Sequence, residues 1–523
     1  MFVPKILFCL FIKCSINIKP QIVKLETCLQ QANISYATQQ SPIWSNLTAP
    51  YNLRLSYTPA LVVLPTTDQQ VGQSISCSAK ESFKVQPKGG GHSYTSFSLG
   101  GQDGIAVVSM ENFNEIEVDQ TTFIAKIGAG QRLGNVALGI HEQGKRGLPH
   151  GTCPGVGIGG HATHGGYGYD SRLWGLALDT IFGLDVVFAN GSIIYANETQ
   201  NPDVYFAMRG AGDSFGIVTN FYMQTNEAPE TVTYFTANLN ETLKSIDQLT
   251  SAFLRTQDFV INSPLLTKNI SFGFYTDNSG ALSITGMCMF CNTTFFKETV
   301  FPALTEGVTP FPGSINITDL SWLDTLQVLA GADPLAEPLD GYNIHDTFYA
   351  KSVVTKEAEP LTEEAVRNFW EYIISKTNIN TPPSFSIINL YGAQDSQINV
   401  PSPSASAYSD RESLWVFQNY GYTANHALPW DSRIIPLIDG LNAAIGNSQP
   451  TGNFSAYSKY IDPELTATQA AEQYFGPKTH DKLLRLKTEL DPGFVFWNPQ
   501  AVRNSGLLSL PPDELEDYQA NYE

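Results

Sequence analysis

Apolar and polar positions along this 523-residue chain change rhythm near Pro229. From Pro59 onward, short apolar runs are cut by glycine and polar turns, as expected of strands joined by loops. ALVVLPTT reads as a strand, residues 69–79 as a helix, and FKVQPKGGGHS as a strand running into a glycine turn. GIAVVSM, FNEIEVD and TFIAKIGAG predict three more strands, followed by a helix over 132–143. LDTIFGLDVVFANGSIIYA predicts a hairpin with Asn190-Gly191 as its turn. PDVYFAMRGAGDSFGIVTNFYMQT then predicts a short helix, a glycine loop and a strand. Beyond Pro229, TVTYFTANL, SFGFYTD, LSITGMCMF, SFSIINLYG and SLWVFQNYGYT alternate with helical stretches such as EEAVRNFWEYIISKT. That pattern predicts an antiparallel sheet with helices on one face. The tail, ATQAAEQYFGPKTHDKLLRLKTELDPGFVF, predicts two helices. The chain therefore reads as α+β. A first unit covers 21–228, a second covers 229–452, and segment 453–523 returns to the first.

The length allows two or three domains, each with its own core. Fifty acidic residues against 30 basic ones give a net charge of −20. No basic stripe gathers phosphates, which argues against nucleic acid and against an anionic membrane as partners. MFVPKILFCLFIKCSINIKPQ sets one lysine before the apolar run 6–12, which is too short to span a bilayer. Residues 1–20 resemble a secretory signal, although Lys13 interrupts the run and no small-residue cleavage site follows; the other readings are a buried apolar segment or a mispredicted start codon. Nine N-x-S/T sequons, at Asn33, Asn46, Asn190, Asn197, Asn240, Asn269, Asn292, Asn316 and Asn453, favour a secreted, extracellular glycoprotein.

Of the seven cysteines, Cys9 and Cys14 would leave with a signal. Cys288 and Cys291 form a C-x-x-C, which suits a redox pair or half a zinc site. With no second such pair and no histidine nearby, a local disulfide fits an oxidising compartment better. Cys28 and Cys77 would pair, which leaves Cys153 over. It stands among eight glycines between Gly151 and Gly168, in GTCPGVGIGGHATHGGYG. An earlier loop, PKGGGHSYTSFSLGG, is also glycine-rich. Such loops let backbone N–H groups approach a pyrophosphate. Neither is a Rossmann fingerprint or a Walker loop.

GGGHSY, LPHGTCPGVGIGGHATHGGYG, GLALDTI, RGAGDSFGIVT, AYSKYID and LDPGFVFWNPQ together closely resemble the berberine-bridge-enzyme-like, FAD-linked oxidoreductases of the vanillyl-alcohol-oxidase superfamily. Within that group the likeness is to the fungal gluco- and chito-oligosaccharide oxidases, and it runs from Cys28 to near the end. The resemblance implies a bipartite flavin domain with a substrate domain inserted, and FAD bonded twice. His92 would hold the 8α-methyl and Cys153 would hold C6 of the isoalloxazine. It further implies a cradle from Gly89, Gly90, Gly91, Ser93, Gly157, Gly160, His161, Gly165 and Gly168. A third turn, with Gly210, Gly212 and Gly216 leading into Ile217 and Val218, would complete it. His161 and His164 are three apart, but their glycine surroundings argue for a loop, and no metal site is expected.

The implied reaction oxidises the reducing-end C1 hydroxyl of an oligosaccharide to a lactone, passes a hydride to FAD and returns the electrons to dioxygen as H2O2. Tyr460 would be the base, with Tyr457, Tyr94 and Gln418 lining the sugar site. Val156, three residues after Cys153, would leave room for dioxygen beside the flavin. Relatives carry an acidic residue in a D-L-Y-G-G-like strand. Here Asn389-Leu390-Tyr391-Gly392 stands there, so the usual help to the tyrosine is missing. Tyr275, Trp415 and Tyr420 could stack on pyranose rings or simply pack in strands. A monomer is expected. Two other readings stand beside this one: FAD chemistry on an alkaloid, polyketide or other secondary metabolite, and a flavoprotein whose role is binding.

Overall fold

The computed structural model describes residues 18–503 apart from positions 309, 343, 378 and 379, so almost all of the expected signal segment lies outside the described residues. A four-stranded sheet runs in the order Ser35–Ala37, Leu61–Leu64, Ala106–Ser109, Val85–Lys88. The last three strands are parallel, because the helix Asp68–Lys80 carries the chain back across the sheet before Val85. That helix starts where the sequence signals it, with Thr67 Oγ1 accepting from the Gln70 amide at 3.2 Å.

The second sheet is antiparallel, in the order Ile116–Val118, Ile124–Gly128, Ile217–Gln224, Ile181–Val187, Ile193–Ala196. Its last two strands form the predicted hairpin, and Gly191 at φ +79° supplies the left-handed turn residue.

The larger sheet has seven antiparallel strands: Asn316–Leu320, Val232–Asn238, Leu282–Met289, Ile270–Asp277, Ser384–Leu390, Ser413–Tyr422 and Phe348–Lys356. Helices Ile246–Asn262, Glu363–Ser375 and Ile434–Gly446 cover one face. The period-2 rule sorts the strands' side chains between two environments. Trp415, Phe417, Ile388 and Leu390 enter the core beneath the helices, whereas Val416 and Tyr391 pack into the core of the first unit. Phe385, Ile387, Asn389, Gln418 and Tyr420 face a cavity between the two. Trp415, fully buried under the helices, is therefore not available to stack on a ligand. Strand Phe348–Lys356 escaped the sequence pattern because both of its faces are covered, and its lysines hide the signal. Lys356 is buried and pairs with Asp410 at 2.6 Å.

The tail docks on the first unit. Val85 N–H donates to Val495 O at 2.8 Å, and Lys487 Nζ donates to Asp491 at 2.7 Å, Phe496 O at 2.8 Å and Ser214 O at 2.5 Å. Lys487 and Asp491 are both fully buried, so the pair is sustained by these added bonds rather than by water.

Disulfides Cys28–Cys77 and Cys288–Cys291 are both formed, with sequence separations of 49 and 3. The first ties helix Ile18–Gln31 to helix Asp68–Lys80. In the chain-entropy account a loop of that length stabilises by about 4 kcal/mol, and the short one by about 2 kcal/mol. Urea titration of a Cys28→Ser/Cys77→Ser variant is therefore expected to show the greater loss of stability. An equal or greater loss from Cys288→Ser/Cys291→Ser would show that loop length is not what sets these contributions.

Candidate functional site

Between the sheets lies a cavity of about 540 Å³. Its floor depends on a contact between two backbones. A Cβ on Gly90 would overlap the Gly157 amide, and one on Gly157 would overlap the Gly90 amide, so the two glycine loops meet where no side chain fits. Arg132 spans them, donating from Nη1 to Gly90 O at 2.8 Å and Gly155 O at 2.5 Å, and from Nε to Pro338 O at 2.7 Å. Burial lowers the pKa of this guanidinium.

Most of the residues expected from the sequence meet here. Gly89, Gly90, Gly91, His92, Ser93 and Tyr94 line the cavity from one loop; Cys153, Val156, Gly157, Gly160, His161 and Gly168 line it from the other. Gly216, Val218, Asn389, Gln418, Tyr457 and Tyr460 complete the wall. Four expected residues are elsewhere. Ile217 is fully buried in the core, because the strand alternation turns it away from Gly216 and Val218. Gly165 packs against the ring of Tyr457 instead of the cavity. His161 is also not in a loop: Ile158–Thr163 is a short helix despite its glycines, with His164 just past its end. Gly210 packs on the backbone of Ala407 and Tyr408, and Gly212 on Thr163, so only Gly216 of that turn reaches the cavity.

The residues present fit a flavin dinucleotide. His161 is buried with Nε2 unpartnered, a polar atom that the fold leaves for a ligand. The glycine loops bring backbone amides to the cavity without intervening side chains. One end of the cavity is charged. His164 Nε2 lies 3.2 Å from Asp213, and Lys459 Nζ donates to Gly160 O. Burial brings the Lys459 ammonium down to about 7. Burial and the Arg132 charge hold His92 neutral, down at about 3. Cys153, the free thiol among the described cysteines, opens onto the cavity, and the protein around it pushes its pKa up.

Above the floor stands a cluster of phenols. Tyr94 and Tyr460 are stacked at 5.9 Å, and Tyr457 meets Tyr460 edge-on at 5.2 Å. Gln418 Nε2 donates to Tyr94 Oη at 2.9 Å. Tyr457 Oη accepts from the Gly166 and Tyr167 amides at 3.0 and 3.2 Å. Burial raises its pKa to about 12, and the two amides work against that rise. Tyr460 is pushed well above 10 by burial and then by neighbouring Tyr94 and Tyr457. Asn389, buried in strand Ser384–Leu390, adds no charge. Tyr420 lines the cavity beside Phe385, with centroids 4.8 Å apart, and half-buried Tyr275 continues that row at 5.6 Å from Phe385.

Sequence reasoning missed Arg132 and Lys459 as parts of the site, and missed Tyr51, whose ring lies over His92. Lys459 was visible between Tyr457 and Tyr460 in AYSKYID. Arg132 and Tyr51 carry no local motif.

The FAD binding domain family matches residues 59–197, and the berberine and berberine-like family matches 456–503. A xylooligosaccharide oxidase of Thermothelomyces thermophilus is 33% identical over 91% of this chain and 94% of its own. The FAD-linked oxidoreductase dpmaF of Metarhizium anisopliae is 34% identical over 93% of this chain and 92% of its own. The structure of the glucooligosaccharide oxidase from Acremonium strictum, whose FAD is 6-S-cysteinyl and 8α-N1-histidyl, superimposes with a TM-score of 0.84 at 30% identity. It covers 92% of this chain and 99% of that one. With such likeness along nearly its whole length, this chain belongs to the berberine-bridge-enzyme-like FAD-linked oxidoreductases.

Proposed function

We propose that this protein is a secreted oxidase that converts the reducing end of an oligosaccharide to a lactone and reduces dioxygen to H2O2, with FAD bonded through His92 and Cys153. One observation carries the reading. His92 and Cys153, from separate loops, face one cavity that Tyr94, Gln418 and Tyr460 also line. The doubly linked flavin of the glucooligosaccharide oxidase supports the same pairing here.

Bound FAD supplies the two-electron acceptor. The chain does the rest. Tyr460 takes the proton of the C1 hydroxyl, while Gln418 and the Tyr94 hydroxyl it holds orient the sugar. Tyr457, fixed by two amides, supports the base from its edge. The small side chain of Val156, beside Cys153, leaves dioxygen a path. A peroxide-coupled screen over cello-, xylo-, malto- and chito-oligosaccharides and lactose tests the substrate class. Silence across that panel would sink the sugar reading.

A second reading has one observation in its favour. Asn389 puts an amide where the resemblance implies a carboxylate, and this strand's cavity face also carries Phe385 and Ile387. Such a wall also suits an apolar secondary metabolite. Turnover of aromatic alcohols with no turnover of sugars would favour it.

Denatured protein is expected to stay yellow, with the flavin mass on the peptides holding His92 and Cys153. Cys153→Ala is expected to keep FAD attached through His92 at lower activity. Free FAD released by acid from the intact protein would refute double attachment.

Tyr460→Phe is expected to slow flavin reduction by about 10²–10⁴-fold with little change in sugar binding, the usual loss on removing a general base. A raised KM with unchanged kcat would reduce Tyr460 to an orienting residue. Because burial pushes the phenol upward, its ionised form grows as pH rises, and the reduction rate should climb with pH above neutrality. Asn389→Asp is expected to raise kcat or move that profile, and no change in either would free this strand of any part in tuning the base.

A further inference from the structure

His92 is not a free arm on a glycine loop. The ring of Tyr51 covers one of its faces, with centroids 3.7 Å apart and planes at 25°. Aromatic pairs usually sit 4.5–7 Å apart, so this contact is close. His92 also meets Tyr342 at 6.0 Å and a tilted angle of 44°.

Tyr51 is itself held. Asp346 N–H donates to Tyr51 O at 2.9 Å, and Leu53 N–H donates to Asp346 O at 2.7 Å. Between them Asn52, 1% exposed, donates from Nδ2 to Tyr94 O at 2.8 Å and Phe348 O at 3.2 Å. Three consecutive residues are thus pinned both to the histidine loop and to the edge of the seven-stranded sheet. The phenol also stacks on Tyr94 at 6.0 Å and meets Phe348 edge-on at 5.6 Å. It is a fixed plate, and the imidazole lying on it loses the freedom to rotate about its Cβ–Cγ bond.

That freedom matters for bond formation. An attacking atom must be held near its target, within roughly 3–3.5 Å and in line, before a bond forms quickly. We propose that Tyr51 is a positioning residue for attachment of the flavin to His92, fixing the plane of the imidazole so that one ring nitrogen is presented along the cavity floor. The proposal rests on the flavin reading above. Attachment replaces one imidazole N–H and one C–H of the 8α-methyl by a single N–C bond. The two hydrogens leave as two electrons and two protons, which reduce the flavin ring. Dioxygen then takes them up as H2O2 and restores the oxidised ring. The neutral state of His92 leaves it the lone pair this requires. Cys153, on the other loop, does not share the stack, so its bond should form without the plate.

Mass spectrometry of peptides from Tyr51→Ala, Tyr51→Leu and Tyr51→Phe variants, produced with FAD in air, tests this. Tyr51→Phe keeps the aromatic face and is expected to match the wild type. Tyr51→Ala is expected to lower the flavin-bearing fraction of the His92 peptide at least five-fold while the Cys153 peptide stays loaded. That loaded thiol also shows that the variant folds and binds FAD. If the alanine variant does not fold, Tyr51→Leu, which keeps bulk without the ring, is expected to show the same selective loss. Full flavin on the His92 peptide of either variant would overturn the proposal, as would loss of both bonds together in folded protein. Wild-type protein with no flavin on His92 would instead refute the reading on which the proposal rests.

Discussion

The site depends on two glycine backbones touching. Gly90 and Gly157 approach so closely that neither position has room for a methyl group. This contact brings the loop bearing His92 and the loop bearing Cys153 to one floor. Without it the two nucleophiles would face different spaces. Arg132 reinforces the contact by donating to carbonyls of both loops, Gly90 O and Gly155 O. It needs no carboxylate to be stable there, because main-chain oxygens replace its water.

The same device joins the two units of the fold. Arg172, fully buried, donates from Nε to Gly392 O and from Nη2 to Gln394 O, each at 2.9 Å, and from Nη1 to Thr267 O at 2.9 Å and to Ile270 O. The acceptors belong to the larger sheet and its connections, while Arg172 follows the cysteine loop. A planar guanidinium with fixed donors suits such a carbonyl cage better than a lysine would. The cavity wall that carries Asn389 and Gln418 is thereby held in register with the floor that carries Cys153.

Within that frame the electrostatics favour neutral groups. Burial keeps His92 and His161 uncharged and raises the phenols of Tyr94 and Tyr460. Asn389 continues this pattern, whereas a carboxylate there would have put a charge against a wall of rings. The amide lies over Gly273 on the neighbouring strand, where a larger residue would collide with its oxygen. Burial and the neighbouring phenols of Tyr94 and Tyr457 therefore hold Tyr460 in its neutral form, and the strand that carries Asn389 places no paired acid beside it.

Much of this was legible in the chain itself. Alternating apolar positions announced the strands from Leu61 to Gln224, Asn190-Gly191 announced the hairpin, and the lone Cys153 among glycines pointed to a bound cofactor. These features depend on neighbours within a few residues, which a sequence displays directly. What lay hidden depends on faces and distance. Trp415 and Gln418 are three positions apart in one strand, yet the first is sealed under helices and the second reaches Tyr94. Strand Phe348–Lys356 disguised itself with half-buried Lys351 and buried Lys356, whose counter-charges come from distant segments. Tyr51 and Arg132 gained their places through pairing with Asp346 and through main-chain oxygens of two loops. Most elements and most of the side chains that carry chemistry could be read from the chain, because propensity and periodicity are local. Which of them share one cavity could not, because that rests on close packing between segments far apart along the chain.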